Sequence, residues 1–339
     1  MVHTLQIYSE VTDIVSFLSA FGISNKKISQ WLNDSKRPIH IRKSFPIGFM
    51  EIFVFSSRLQ FGTSFYVFIK LEPQRLLEGK PTLKLFNPST MNAFALLTKF
   101  YNSMYFYLIN YPDLHYLSYL YNYKVRRIDY TKDFMTPYVH ELLALLPKNS
   151  KKNNRCKLSN GLKKKTYDNY YQCSKAITTT LYDKLNEINE KFTASERACI
   201  GSTPDILRLE IQLKKSAVSY RCHKYNIKNN AFQFLISSKK ISQEMLESNY
   251  KKIIGTGNFY KAYRANKIIN DSSFSPAMKK RLTAFLKDLS GNSTNKYSTP
   301  TIRSYTAKLE ELGIAPIIIP KNWKCPSCIP NPAKNLEIM

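Results

Sequence analysis

Three short segments carry residue types that can cut a phosphodiester. Residues 175–191 read KAITTTLYDKLNEINEK and place Tyr182 two residues before Lys184. Residues 126–134, RRIDYTKDF, carry Asp129 and Asp133, and residues 205–215, DILRLEIQLKK, carry Arg208 and Glu210. A tyrosine hydroxyl is a poor nucleophile until it loses its proton or a cation polarises it. Lys184 could lower its pKa or steady charge on a phosphate. Carboxylates supply the hard oxygen ligands that Mg²⁺ or Mn²⁺ takes, and such an ion acts as a Lewis acid on phosphate. Together the segments suggest one DNA-cutting site, with Tyr182 as nucleophile, Lys184 as its companion, and Asp129, Glu210 and Asp133 as metal ligands. Each residue has a plainer role open to it. Most of the 23 tyrosines should pack in cores or on surfaces. Glu210 could pair with Arg208 or with a cross-strand lysine. Arg126 and Arg127 could clamp phosphate or be solvated strand-edge charges.

The site needs strands to hold it. Residues 206–213 alternate, with Leu207, Leu209, Ile211 and Leu213 on one side and Ile206, Arg208, Glu210 and Gln212 on the other. Residues 125–130 and 177–182 read as further strands, the last running into a helix at 183–192. Upstream, residues 1–12 read as a strand, 12–21 as a short helix, and 40–45 as a strand. Residues 49–56 and 64–71 read as an antiparallel hairpin. A short helix at 72–80 and a long one at 89–108, capped by Ser89, follow, and 135–146 reads as another. From about 237 the pattern turns helical, over 242–254, 275–291 and 299–313, the last with Pro300 at its start and Gly313 at its end. These helices could form a helix-turn-helix or a cap on the catalytic part. The expected fold is α+β, a mainly antiparallel sheet with helices on one face, followed by a helical C-terminal region. The expected division is a nicking domain at 1–236, a helical DNA-binding or capping region at 237–322, and a flexible tail at 323–339.

Lys and Arg number 51 against 24 Asp and Glu, a net charge of +27 over 339 residues. An AT-rich coding bias would favour Lys over Arg but would not deplete acids. The excess points to a polyanion, most simply nucleic acid. The basic tract at about 149–166 ends in Lys163, Lys164 and Lys165 beside several tyrosines. It is either a surface loop or a loop that closes on DNA. Lys214, Lys215 and Arg303, with Arg126, Arg127 and Arg208, are further DNA-contact candidates. No GxxxxGKS/T or GxGxxG string occurs, so nucleotide-binding loops lack support. No membrane span or secretory signal is expected, and the scattered cysteines suit a reducing cytoplasm. Cys325 and Cys328 make half a zinc site or a pair of free thiols. The five histidines contain no His-x-His pair.

The order and flanking pattern of these segments resemble the filamentous-phage gene II/gene X family of rolling-circle replication initiators and their plasmid relatives. FYVFIKLEPQRLLEG at 65–79 with the long helix after it, RRIDYTKDF, LYDKLNE, ILRLEIQLK and the Gly-Ile end of 299–314 carry the likeness, over most of the chain. The resemblance implies metal-dependent nicking and rejoining of DNA at a double-stranded origin through a 5′-phosphotyrosine at Tyr182. It also implies a Mg²⁺ or Mn²⁺ cofactor and a bacterial cytoplasm. The expected partners are origin DNA, the nicked single strand, a host helicase and DNA polymerase, with a homodimer as a further option. The family strand near Ile69 can carry a glutamate where this chain has Phe68, so a third metal ligand has to come from Glu51, Glu72 or Asp133. Tyr220 and Tyr225 could be second nucleophiles or aromatic packing. A non-catalytic DNA-binding regulator and a conjugative relaxase are the competing readings.

Overall fold

The computed structural model describes all residues except 35–36, 42–44, 60–61, 150–156, 159–168, 203, 291–295 and 333–339. The basic tract, with Lys163, Lys164 and Lys165, lies almost wholly outside the described residues. The strands are β1 Val2–Val11, β2 Ile39–His40, β3 Phe49–Leu59, β4 Gly62–Leu71, β5 Lys124–Met135, β6 Lys157–Leu158, β7 Asn169–Cys173, β8 Ile177–Asp183, β9 Ile206–Leu213, β10 Asn258–Lys261, β11 Ile314–Ile319 and β12 Cys328–Ile329. The α-helices are α1 Ile14–Ala20, α2 Asn25–Asn33, α3 Pro73–Glu78, α4 Thr90–Leu108, α5 Val139–Asn149, α6 Lys184–Lys191, α7 Ala194–Ile200, α8 Lys215–Tyr225, α9 Ala231–Ile253, α10 Ala262–Asp271, α11 Pro276–Ser290 and α12 Thr299–Glu311.

The fold is α+β. One wholly antiparallel sheet runs in the order β2-β3-β4-β1-β5-β9-β8-β7-β6. Period-two alternation divides its faces. Leu5, Ile7, Val67, Ile69, Ile128 and Tyr130, with Leu207, Leu209, Ile211 and Leu213 of β9, are fully buried on one side. That side is covered by α4, α8 and α9, and the Tyr130 hydroxyl shares a buried hydrogen bond with Ser238 of α9. Ser89 caps α4, accepting from the Asn92 amide. The other face carries the polar residues of β5, β9 and β8.

Two β-bulges interrupt the central β1–β5 pairing. His3 is the extra residue between the Val2–Tyr130 and Thr4–Asp129 pairs, and Arg126 is the extra residue opposite Gln6–Ile7. A bulge re-aims side chains that regular alternation would send elsewhere.

The C-terminal region carries helices, as expected, and differs from the expected organisation in three details. First, α9 runs unbroken across the boundary expected at 236, and Phe234, Leu235, Ile241, Met245, Leu246 and Tyr250 on one side of it are buried in the main core. Second, the region is not purely helical: β11-β10-β12 form a second sheet, against which α10, α11 and α12 enclose their own apolar core around Ile269, Phe285 and Leu309. Third, the tail expected from 323 is docked as far as Asn331. That side chain is buried, donates to the carbonyls of Gly255 and Gly257, and accepts from Tyr250.

Candidate active-site cleft

The polar face of the sheet opens into a cleft of about 350 Å³ that contains Tyr182, Lys184, Glu210, Asp129, Arg127, His3 and Glu72. Tyr182 sits one residue before the end of β8, directly across from Arg208 on β9. Asp183 then caps α6 by accepting from the amides of Leu185 and Asn186. This strand-to-helix corner fixes the tyrosine over the cleft, with 8% of its surface exposed. Its hydroxyl donates to Glu210 Oε2 over 3.4 Å. Burial and the charges of Glu210 and Glu187 push the phenol well above its ordinary value, while Arg208 opposes that rise.

Arg208 and Asp133 face each other in register on β9 and β5. The guanidinium is 1% exposed and donates twice to Asp133, each bond 2.6 Å. The pair satisfies itself where a metal role was expected of Asp133 and a DNA contact of Arg208. What Arg208 offers is a fixed positive charge under Tyr182. Lys184 does not supply it: its buried ammonium donates to Glu187 at 2.7 Å.

Asp129 is likewise committed. Arg127 donates to both its oxygens, at 2.8 and 2.6 Å. Burial pushes this carboxyl up to about 6; Arg127 opposes the rise and the charge of Glu210 adds to it. Glu210 behaves differently. Burial raises its pKa, but the hydrogen bond and charge of His3 outweigh this and hold it below its ordinary value.

Sequence reasoning left His3 unassigned. The bulge turns its ring into the cleft, with Nδ1 3.2 Å from Glu210 Oε2 and Nε2 3.7 Å from Glu72 Oε1. Glu72, at the entry to α3, is braced by Arg75 at 2.8 Å, and Arg75 also holds Glu196 at 2.9 Å. Among the described residues no three His, Cys, Asp or Glu side chains are arranged as a ready metal shell. The donor set still suits a hard divalent ion in kind, since Glu72 and Glu210 converge on one imidazole.

The other candidates lie elsewhere. Glu51 pairs with His40 at 3.0 Å on β3 and β2. The Lys214 ammonium donates to Ser174 O and Cys173 Sγ. Arg126, Lys215 and Arg303 are exposed, and the Arg126 guanidinium lies over the Phe68 ring. Tyr220 and Tyr225 are on α8, on the helical side of the sheet, and Tyr225 donates to Glu244. Cys325 and Cys328 are free thiols in the docked C-terminal segment.

No protein-family model, curated protein or solved structure matches the chain. Among the described residues no helix is long and apolar enough to cross a membrane.

Proposed function

We propose that the protein starts rolling-circle replication in a bacterial cytoplasm by nicking one strand of a double-stranded origin and later rejoining it. The observation that carries this reading is the Tyr182 hydroxyl directed at ionised Glu210, above the buried charge of Arg208, in an open cleft of a chain with net charge +27. Glu210 accepts the phenol proton, and Arg208 steadies the phenolate. The phenolate oxygen attacks the scissile phosphorus. A bond from Tyr182 to phosphorus forms, the bond from phosphorus to the 3′ oxygen breaks, and that oxygen takes a proton to become the 3′ hydroxyl. The 5′ phosphate stays on Tyr182, so rejoining is the same reaction reversed and needs no ATP.

In this reading Glu72, Glu210 and His3, moved out of the mutual pairing seen here, would hold a Mg²⁺ or Mn²⁺ ion, which would supply Lewis-acid stabilisation of charge on the phosphate. Asp129 keeps the Arg127 guanidinium aimed along the cleft floor, where it can meet a phosphate oxygen. In this reading a host helicase and DNA polymerase act on the nicked product.

The test uses purified protein, supercoiled DNA bearing the element's own origin, and Mn²⁺ or Mg²⁺. Conversion to open circle with label retained on denatured protein is expected, and Tyr182→Phe should lose both. Nicking that persists in Tyr182→Phe moves the nucleophile to another residue. The second reading, a regulator that binds DNA without cutting it, is favoured by the burial of Tyr182 and its raised pKa. Normal duplex binding with no nicking on a verified origin would establish it over the first.

A further inference from the structure

We propose that the sheet face beside the cleft is a platform for single-stranded DNA, on which unpaired bases stack against the exposed rings of an aromatic ladder built from Phe53, the buried Phe68 and Tyr8. The identity of the bound strand rests on the nicking reading above; the platform itself rests on geometry.

Phe53 on β3 lies opposite Phe68 on β4, which lies opposite Tyr8 on β1. The ring centroids are 5.0 Å apart from Phe53 to Phe68, with planes at 11°, and 5.6 Å apart from Phe68 to Tyr8, at 20°. The rings therefore form one continuous stack across three strands. Phe55 and Tyr66 make the next row, and Tyr66 meets Tyr8 edge-on. Tyr8, Phe53, Phe55 and Tyr66 all keep ring surface in water. Cross-strand ring pairs by themselves stabilise a sheet. On the same face β8 presents Thr178 and Thr180, with Tyr182 and the cross-strand Tyr171 of β7 as separate rings, so the stacked ladder lies in one half.

Two features go beyond sheet stabilisation. The stack ends at the half-buried Tyr8, whose partner on β5 is the exposed Lys124. A base can continue the stack there, with its phosphate beside the ammonium. The β5 bulge also turns the exposed Arg126 onto the ladder, its guanidinium carbon 4.6 Å from the centre of Phe68. Ring faces for bases, interleaved with cations for phosphates, are the chemistry of single-strand recognition. A duplex keeps its base faces stacked internally and has none to offer. Of the acids on this face, Glu51 is engaged by His40, and Glu10 stands exposed across from Tyr66 at the far end of the ladder from the cleft. The ladder is also continuous with the cleft. Lys70, two residues along β4 from Phe68, lines the cleft, a step of roughly 7 Å. A strand leaving Tyr182 can reach the rings without a gap.

The experiment measures binding of the full chain to a fluorescent oligothymidylate and to a duplex of unrelated sequence. Neither requires cleavage. Tyr8→Leu and Phe53→Leu are compared with Phe106→Leu, which alters an exposed ring on α4. Each ladder substitution should weaken single-strand binding by about fivefold to a hundredfold, with duplex binding and Phe106→Leu unchanged. Single-strand affinity within about twofold of the parent in both folded variants overturns the platform. If the ring variants fail to fold, Lys124→Gln and Arg126→Gln decide. Each should reduce the salt slope of single-strand binding by about 0.7, and an unchanged slope overturns the proposal. Origin nicking by the parent is assayed in parallel. A parent that binds single strands through the ladder but never nicks leaves the platform standing and removes the nicking reading.

Discussion

Glu187 fixes the two lysines that follow the tyrosine. Lys184 donates to one of its oxygens at 2.7 Å and Lys191 to the other at 2.8 Å. Burial would raise this carboxyl, but the charge and hydrogen bond of Lys184, then those of Lys191, hold it down at about 2. The partner reports a weaker pair, because burial and Arg208 push the Lys184 ammonium below its ordinary value. We weigh both sides and expect Glu187→Gln to cost about 1–3 kcal/mol at neutral pH. Since the folded pKa is depressed, the contribution is complete above the unfolded value near 4.5 and is lost as pH falls through about 2. Urea melts of parent and variant should therefore converge on the acid side. A gap that stays constant with pH would mean that shape at this position matters and charge does not.

At the scale of elements, the second sheet depends on a close backbone approach. A Cβ at Gly257 would stand 2.2 Å from the carbonyl carbon of Ile314 and 2.3 Å from the amide nitrogen of Ala315. Gly257→Ala must push β10 from β11 and should cost about 3 kcal/mol, read as a lowered thermal midpoint. An unchanged midpoint would show that the two strands can separate freely. The elements themselves were largely legible in the sequence. Strict alternation marked β9, and the N-cap at Ser89 and the run of β-branched residues marked α4 and β8. The short strands β10 and β12 carry too few residues for a period to register. The hidden part of the site lies at the two bulges, and each leaves a trace. Buried apolar residues step by three from Val2 to Leu5 and from Val125 to Ile128, where a regular strand steps by two. That slip is the signal that would have turned His3 and Arg126 toward the polar face. The Arg208–Asp133 pair was hidden for another reason. Alternation shows which face a residue shares, but register decides which partner it meets.

For the molecule as a whole, charge is spread unevenly. The cleft is lined by five basic side chains, Lys70, Arg75, Arg127, Lys184 and Lys191, and by five acidic ones, Glu72, Asp129, Glu187, Glu196 and Glu210. The net charge of +27 therefore lies outside it. Duplex affinity should fall steeply with salt, with a log–log slope at or beyond about −5. Lys191→Gln, in the cleft, should leave that slope unchanged in a filter-binding titration; a drop of about one would place a bound phosphate at that lysine. A cleft that is electrically balanced inside a cationic body divides two tasks that often conflict. On the nicking reading, capture would fall to the surroundings, whose positive charge draws a polyanion from a distance. On that same reading, the reacting phosphate would rest in surroundings that hold it only weakly, so a strand could pass through the cleft without being trapped by the charge that recruited it.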